Sequence, residues 1–373
     1  MEQTILTADR DYAGLDEWLC RKGIRRPMLV CDGAFPHLAA ARHLERLKEQ
    51  GLALTTFRDF APNPAYEAVA AGVRRFREEN CDAVLAIGGG SAMDVGKCIK
   101  LWALQGDGGP WYKQTPVCNE IPLLAMPTTA GTGSEATRYA VIYAGGTKLS
   151  VTHDSIVPEA VIFDPSALRT LPAYQRRATM MDALCHAVES CWSVHSTADS
   201  RKLSGEAIRA ILGATDGYLR GEDEASGAML RAANTAGKAI NITQTTAGHA
   251  MCYKLTTLYG IAHGHAAALC VDALFPWMLR HPERICDPRG AGQVRTAMAE
   301  ISEAMGCETP EEAAVRFHGI LKSLALPVPD AKPEDLAVLT ASVNPERLRN
   351  HPYALDAGAI TALYRTILNG GEA

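Results

Sequence analysis

The stretch that most constrains the fold is Ala83-Val84-Leu85-Ala86-Ile87 running straight into Gly88-Gly89-Gly90-Ser91. Five consecutive apolar residues read as a strand buried on both faces, which requires a parallel sheet covered by helices on each side. A helical pattern then opens at about Ala92 and continues through Lys97 and Lys100. A strand, a glycine turn and a helix place backbone N–H groups and a positive helix end together, an arrangement suited to a phosphate or pyrophosphate. The loop is not GxGxxG, because position 93 is Met, and not a Walker loop, because Lys97 comes too late. A tight strand-to-helix turn with no ligand is the competing reading, and the triple glycine favours a nucleotide.

The same alternation extends over the first half. Met28–Cys31 is a strand ending in Asp32-Gly33, 37–50 a helix, and 54–57 a second strand. A turn at Ala61-Pro62-Asn63-Pro64 leads into a helix over 67–79. Strand 121–126 meets the polar loop Pro127-Thr128-Thr129-Ala130-Gly131-Thr132-Gly133-Ser134-Glu135. A hairpin at Gly145-Gly146 and a strand over 160–163 close this half. Such β and α units argue for a mostly parallel, doubly wound sheet, with Asp32, Asn63, Gly88–Ser91 and Thr128–Thr132 all at strand ends along one edge. From about Leu171 strand-like runs nearly vanish and long apolar-periodic segments follow, over 175–194, 197–219, 225–241 and 294–305. The fold class is therefore an α/β dinucleotide-binding domain over 1–168 followed by an all-α domain over 169–373, the boundary falling between Pro165 and Pro172.

Composition narrows the class of partner. The 373 residues are 47% hydrophobic and 21% charged, with a formal net charge of −5, so neither nucleic acid nor an anionic membrane is expected. An anionic substrate would need a local basic pocket. The eleven cysteines form no CxxC and fit reduced thiols. The first residues lack the apolar core of a signal peptide, and no apolar run approaches membrane-spanning length, so a cytoplasmic protein is expected.

The second functional signal lies in the helical half. Asp182 and His186 in MMDALCHAVES are four apart and share a helix face. His249 and His263 bracket a mostly apolar stretch, and Gly264 follows His263 at once. One carboxylate and three imidazoles suit a divalent metal of borderline character, Fe(II) or Zn(II), with open positions for a substrate oxygen. Asp/His pairs also occur on ordinary helices and lone histidines are commonly core residues, so the spacing by itself favours ordinary helix and core positions, and the rest of the chain shifts the balance.

The runs AIGGGSAMDVGK, PTTAGTGSE and DALCHAVE, with the His249…His263-Gly264 spacing, together resemble the iron-containing (group III) alcohol dehydrogenase family over nearly the whole chain. The resemblance implies NAD(P) and one divalent metal in a cleft between the two domains, a homodimer, and hydride transfer to an aldehyde. Carried over position by position, Asp182, His186, His249 and His263 look like the metal ligands. Gly89, Gly90, Ser91 and Asp94 look like the pyrophosphate loop, and Thr128, Thr129, Thr132, Asn63 and Lys148 like contacts to the nicotinamide half and the riboses. Asp32 matches the position that meets the adenosine ribose, where a carboxylate repels a 2′-phosphate. NADH is therefore expected over NADPH. Many members carry a second histidine one turn after the third ligand as a proton relay. Here Tyr253 stands there, either as a hydroxyl donor or as a packing aromatic.

GSEATRYAVIY and NITQTTAGHAMCYKLTTLYGIAHGHA resemble more closely the branch that reduces phosphonoacetaldehyde to 2-hydroxyethylphosphonate. A dianionic headgroup beside the aldehyde calls for cationic donors. Lys254 is the first candidate and Arg138 the second, with Lys238 and His265 behind them. Each of these has a solvated or structural role as its alternative. Three other activities are weighed: a reductase of uncharged short aldehydes such as propanal or lactaldehyde, a dehydroquinate-synthase-type lyase using NAD and a metal, and a non-catalytic binder.

Overall fold

The computed structural model describes residues 3–8, 11–106, 108–332 and 334–369. It divides into two compact units, Met1–Leu171 and Pro172–Ala373. The division lies three residues from the expected end of the first domain at 168.

In the first unit six strands, β1 (Thr4–Thr7), β2 (Pro27–Cys31), β3 (Thr55–Phe57), β4 (Ala83–Gly88), β5 (Leu123–Pro127) and β8 (Ala160–Phe163), form one sheet in the order β1-β8-β5-β4-β2-β3. Every pairing in it is parallel. Strands β6 (Tyr139–Ala144) and β7 (Thr147–Thr152) form a separate antiparallel hairpin. Its turn residues Gly145 and Gly146 have φ of 54° and 77°, the left-handed pair that a two-residue turn of this kind requires. Helices α1 (Ala13–Arg21), α2 (Ala39–Glu49), α3 (Tyr66–Glu78) and α4 (Gly90–Trp102) alternate with the strands.

β4 is buried along its whole length, as its five-residue apolar run requires. Its side chains alternate between faces. Leu85 and Ile87 join a core with Trp18 and Leu44. Ala86 and Val84 face α4 at Gly96, where an added Cβ would come within 2.8 Å of the Ala86 methyl. The chain passes from β2 and β3 on one side of the sheet to β4 and β5 on the other. The β2/β4 junction is therefore the point where strand order reverses, and ligands of such sheets gather there.

Three sequence expectations need correction here. β1 is absent from the sequence reading, because four residues with Ile5 exposed at a sheet edge give too short a pattern. The helix after the glycine loop opens at Gly90, not Ala92. Asn63 does not end a strand, since β3 stops at Phe57. Asn63 has φ of 58° and stands between two prolines in a turn that leads into α3.

The second unit is helical: α5 (Ala173–Trp192), α6 (Ala198–Arg220), α7 (Asp223–Thr243), α8 (Ala247–Tyr259), α9 (His263–Arg280), α10 (Ala291–Ala304), α11 (Pro310–Ser323), α12 (Asp335–Ser342), α13 (Pro345–Leu348) and α14 (Ala357–Leu368). An isolated bridge joins Ile285 and Tyr353. α5 is buried on all sides from Met180 to Trp192 and packs against α6, α7 and α9, so a polar residue on it sits in the middle of the unit. Among the described residues no helix is long and apolar enough to cross a membrane, and none of the eleven cysteines is paired.

Candidate active site

At the sheet edge the loops after β2, β4 and β5 lie side by side, because these strands are neighbours and pair Cys31 with Ile87 and Gly88 with Pro127. Asp32 ties the first loop to the second: its Oδ2 accepts from the Gly89 N–H at 3.1 Å and its Oδ1 from Ala34 at 2.9 Å. Gly88 is required by this approach, since a Cβ there would lie 2.8 Å from Asp32 Oδ2 and 2.6 Å from the Ala92 methyl. The Thr128 N–H donates to Gly88 O at 3.0 Å, which joins the second loop to the third.

A Cβ on Gly90 would lie 3.1 Å from Thr132, and one on Gly89 3.7 Å from Thr129, so the two glycines leave a shallow cradle under the threonines. Thr129 Oγ1 is buried with no hydrogen-bond partner. A bare backbone cradle beside an unanswered buried hydroxyl fits a phosphate-bearing ligand at the start of α4. The Asn63 N–H donates to Ser91 Oγ at 3.4 Å, so Asn63 reaches this edge although no strand delivers it.

Asp94 is directed away from the cradle. Its Oδ1 accepts from Ser134 Oγ at 3.1 Å, under the third loop. Burial raises its pKa to about 6, opposed by the charges of Lys97 and Lys148. Lys148 thus lies close to Asp94 from β7.

In the second unit α5 carries Asp182 and His186, the first turn of α8 carries His249, and α9 begins at His263. α9 starts directly against α5. A Cβ on Gly264 would lie 2.5 Å from the Asp182 Cβ and would collide with the Ala178 carbonyl, so only glycine lets His263 come this close. Asp182, His249 and His263 present ligand atoms within 4.8 Å of one another. His186 lies beside them, its Nε2 3.9 Å from Asp182 Oδ1 and its ring stacked on His249 at 4.5 Å. The four residues that the resemblance offers as ligands are thus brought together.

The electrostatics fit a cation. His249 Nε2 and Asp182 Oδ1 are 3.4 Å apart, both buried, and neither has a hydrogen-bond partner. Burial alone would push the Asp182 carboxyl up, but His186, His249 and His263 overcome it and hold it below the ordinary carboxylate range. Two buried polar atoms facing each other without hydrogen bonds fit a shared cation, and the set of one carboxylate and imidazoles suits a divalent transition metal.

One residue of the centre escaped the sequence reading. Glu189, fully buried on α5, accepts from the Nδ1–H of His249 and fixes the ring so that Nε2 faces Asp182. It also stands at the N-terminus of α8. Its Oε1 accepts from Thr246 N at 3.0 Å, Thr246 Oγ1 at 2.6 Å and His249 N at 3.4 Å. A carboxylate from another helix thereby caps α8 and orients the ligand on its first turn. Its seven-residue spacing from Asp182, the same helix face, was the available signal. Trp192 supports it from behind, donating to Thr246 Oγ1 at 2.9 Å.

Tyr253, one turn after His249, stacks on the His263 ring at 5.6 Å with 14° between the planes. Lys254 is half-buried, and helical geometry turns it about 140° round α8 from His249. Arg138 belongs to the first unit and pairs with Asp154 at 3.1 Å, so its charge is already answered. His265 is buried with Nδ1 against the Tyr174 hydroxyl at 3.1 Å, a structural role. Lys238 is half-buried on α7.

Comparison with known proteins gives a consistent picture. The sequence profile described as "Iron-containing alcohol dehydrogenase" matches residues 3–165, and that described as "Fe-containing alcohol dehydrogenase family, C-terminal" matches residues 177–368. The chain is 33% identical to the phosphonoacetaldehyde reductase of Streptomyces viridochromogenes, over 80% of this chain and 79% of that one. It is 32% identical to the 1,3-propanediol dehydrogenase of Citrobacter freundii, over 80% of this chain and 78% of that one. The crystal structure of sulfoacetaldehyde reductase from Bifidobacterium kashiwanohense in complex with NAD+ superposes with a TM-score of 0.87 at 25% identity, covering 98% of this chain and 97% of that one.

Proposed function

Because the chain belongs to the iron-containing alcohol dehydrogenase family, a family of oxidoreductases that interconvert aldehydes and alcohols, we propose that it reduces phosphonoacetaldehyde to 2-hydroxyethylphosphonate with NADH and Fe(II). The observation that carries the chemistry is the buried, partnerless pair Asp182 Oδ1 and His249 Nε2 beside His263. The substrate rests on the 33% identity to a phosphonoacetaldehyde reductase.

Asp182, His186, His249 and His263 would hold a divalent iron, which would supply a Lewis acid for the aldehyde oxygen, and a bound nicotinamide would supply the hydride. The protein's own part is positioning. Gly89, Gly90 and Ser91 offer backbone and hydroxyl donors to the pyrophosphate, with Thr128, Thr129, Thr132, Asn63 and Lys148 around the nicotinamide half. Glu189 keeps the proton of His249 on Nδ1, so Nε2 stays a lone-pair donor to the metal. Tyr253, stacked on the His263 ring, carries a hydroxyl beside the ligand set and delivers the proton that the new alcohol needs.

Asp32 accounts for a preference for NADH. Its carboxylate is already fixed at the glycine loop and would repel a 2′-phosphate there. Asp32→Gly is expected to shift preference toward NADPH, and a wild type that already prefers NADPH would remove this assignment.

The deciding experiment is NADH consumption by iron-reconstituted protein with phosphonoacetaldehyde, propanal and lactaldehyde in parallel. A kcat/KM for phosphonoacetaldehyde at least tenfold above the others supports the reading. Equal rates would leave an aldehyde reductase of uncharged substrates, and NADH binding with no net consumption would indicate a lyase.

A further inference from the structure

The anionic headgroup of such a substrate needs a cation close to the metal centre, and Lys254 stands about 140° round α8 from His249. A different cation is in place. Arg347, on α13, donates from Nη1 to the Tyr253 hydroxyl at 3.3 Å, and its guanidinium carbon lies 5.0 Å from the centroid of the Tyr253 ring. The same ring stacks on His263, a member of the metal cluster. One aromatic ring therefore touches both a guanidinium and a ligand imidazole.

Three features mark Arg347 as more than a surface charge. It is half-buried, and no carboxylate pairs with it among the described residues. The acid next to it in sequence, Glu346, is taken by Arg349 at 2.8 Å. Its backbone is also fixed in advance. Asn344 caps α13 by accepting from the Glu346 N–H at 2.9 Å. Asn350, buried just beyond, donates to the carbonyls of Thr243 at 2.6 Å and Thr245 at 2.9 Å and accepts from Ser193 Oγ at 2.7 Å. Those partners belong to the α7–α8 junction and the end of α5, the elements that carry the metal cluster. A cation on a segment bolted to that scaffold loses little freedom when it binds an anion.

We propose that Arg347 is the specificity-determining residue of this enzyme and receives the tetrahedral anionic headgroup of the aldehyde, a phosphonate. This rests on the proposed reading of an anionic aldehyde substrate. The planar fork of guanidinium donors matches two oxygens of such a group, whereas a lysine offers a point charge. A short aldehyde carrying its charge on the carbon next to the carbonyl needs a cation near the metal ligands, and Arg347 is linked to His263 through the Tyr253 ring.

The test compares wild type, Arg347→Met and Arg347→Lys, all iron-loaded. For each, kcat/KM is measured for phosphonoacetaldehyde and propanal, together with inhibition of propanal reduction by ethylphosphonate and by ethanesulfonate. R347M is expected to lower the phosphonoacetaldehyde/propanal ratio about ten- to a hundredfold and to weaken ethylphosphonate inhibition in parallel, with R347K in between. The ratio cancels general damage to fold or metal loading. Tyr253→Phe serves as control, because an arginine that only positions the tyrosine would affect both aldehydes equally, as that variant is expected to. A wild-type preference for phosphonoacetaldehyde that survives R347M overturns the role of Arg347 and leaves the substrate reading intact. No preference in wild type, with ethylphosphonate or ethanesulfonate inhibition lost in R347M, sinks the phosphonate substrate and keeps the anion site. If neither anion inhibits wild type, there is no anion site and the inference fails.

Discussion

Each unit contains a buried cluster of charged and polar groups, and the two differ in whether they are complete. In the first unit the ammonium of Lys97, wholly buried, donates to Ser134 O, to Ser134 Oγ at 3.0 Å, to Thr137 Oγ1 at 3.1 Å and to Tyr139 O at 2.8 Å. Asp94 joins through Ser134. In the second unit Asp182 Oδ1 and His249 Nε2 are also buried, 3.4 Å apart, and neither makes a hydrogen bond. Burying polar groups costs free energy unless they are hydrogen-bonded, so the first cluster is scaffold that pins the PTTAGTGSE loop to α4. The second keeps ligand-type atoms free of hydrogen bonds in a set that suits a divalent cation. Buried charge alone does not mark a site; buried ligand atoms left without hydrogen bonds do.

The contrast can be broken most sharply at the incomplete cluster. Asp182→Ala or His249→Ala should lower kcat/KM by about three orders of magnitude or more, the scale of lost Lewis-acid catalysis. NADH binding, followed by fluorescence, should survive, because the glycine cradle lies on the other unit. Full activity in either variant, or in metal-stripped protein, would end the metal assignment.

A smaller effect is expected one layer out. Glu189→Gln keeps the shape but no longer enforces the Nδ1–H tautomer of His249, and should weaken iron binding about 10–100-fold, measured by competition with a chelator. Excess iron should restore much of the turnover. An unchanged metal affinity would make Glu189 only a helix cap.

Within the first unit Gly89→Ala separates cradle from scaffold. An added Cβ meets nothing closer than 3.7 Å, so stability should fall by no more than about 1 kcal/mol, the scale of a lost N-cap preference. The NADH dissociation constant should nevertheless rise about tenfold, because the side chain fills the space a pyrophosphate needs. A loss of stability with unchanged NADH binding would reverse the interpretation.

The complete cluster should respond in stability instead. Lys97→Met strands the Ser134 and Thr137 acceptors and should cost about 1–3 kcal/mol in urea unfolding. Its pH dependence has a defined sign. Burial lowers the Lys97 pKa from 10.5 to about 8, so between those values the unfolded chain holds the proton more tightly. Stability from this residue therefore rises with pH across that window, and wild type should gain on K97M there. A difference that falls with pH would mean the ammonium is better solvated inside the protein than outside.

What the sequence settled by itself is what is local in it. AVLAIGGGS announces a doubly buried strand, a turn only glycine can make and a helix start, because backbone sterics and burial act over a few residues. The helical texture after Leu171 and the i,i+4 pair Asp182/His186 are legible for the same reason. The edge strand β1 was not, since four residues carry too little periodicity, and Asn63 was misplaced because its route to Ser91 is a turn and not a strand. Only the tertiary structure decided which long-range neighbours complete the site. Glu189 is one apolar-face acid among many until α8 docks its N-terminus on it, and Lys254 looks available until the helical register turns it aside. Arg347, 94 residues after Tyr253, has no local signal at all. Its place beside Tyr253 follows from Asn350 bonding to the α7–α8 junction, a contact that packing creates and that no spacing in the chain encodes.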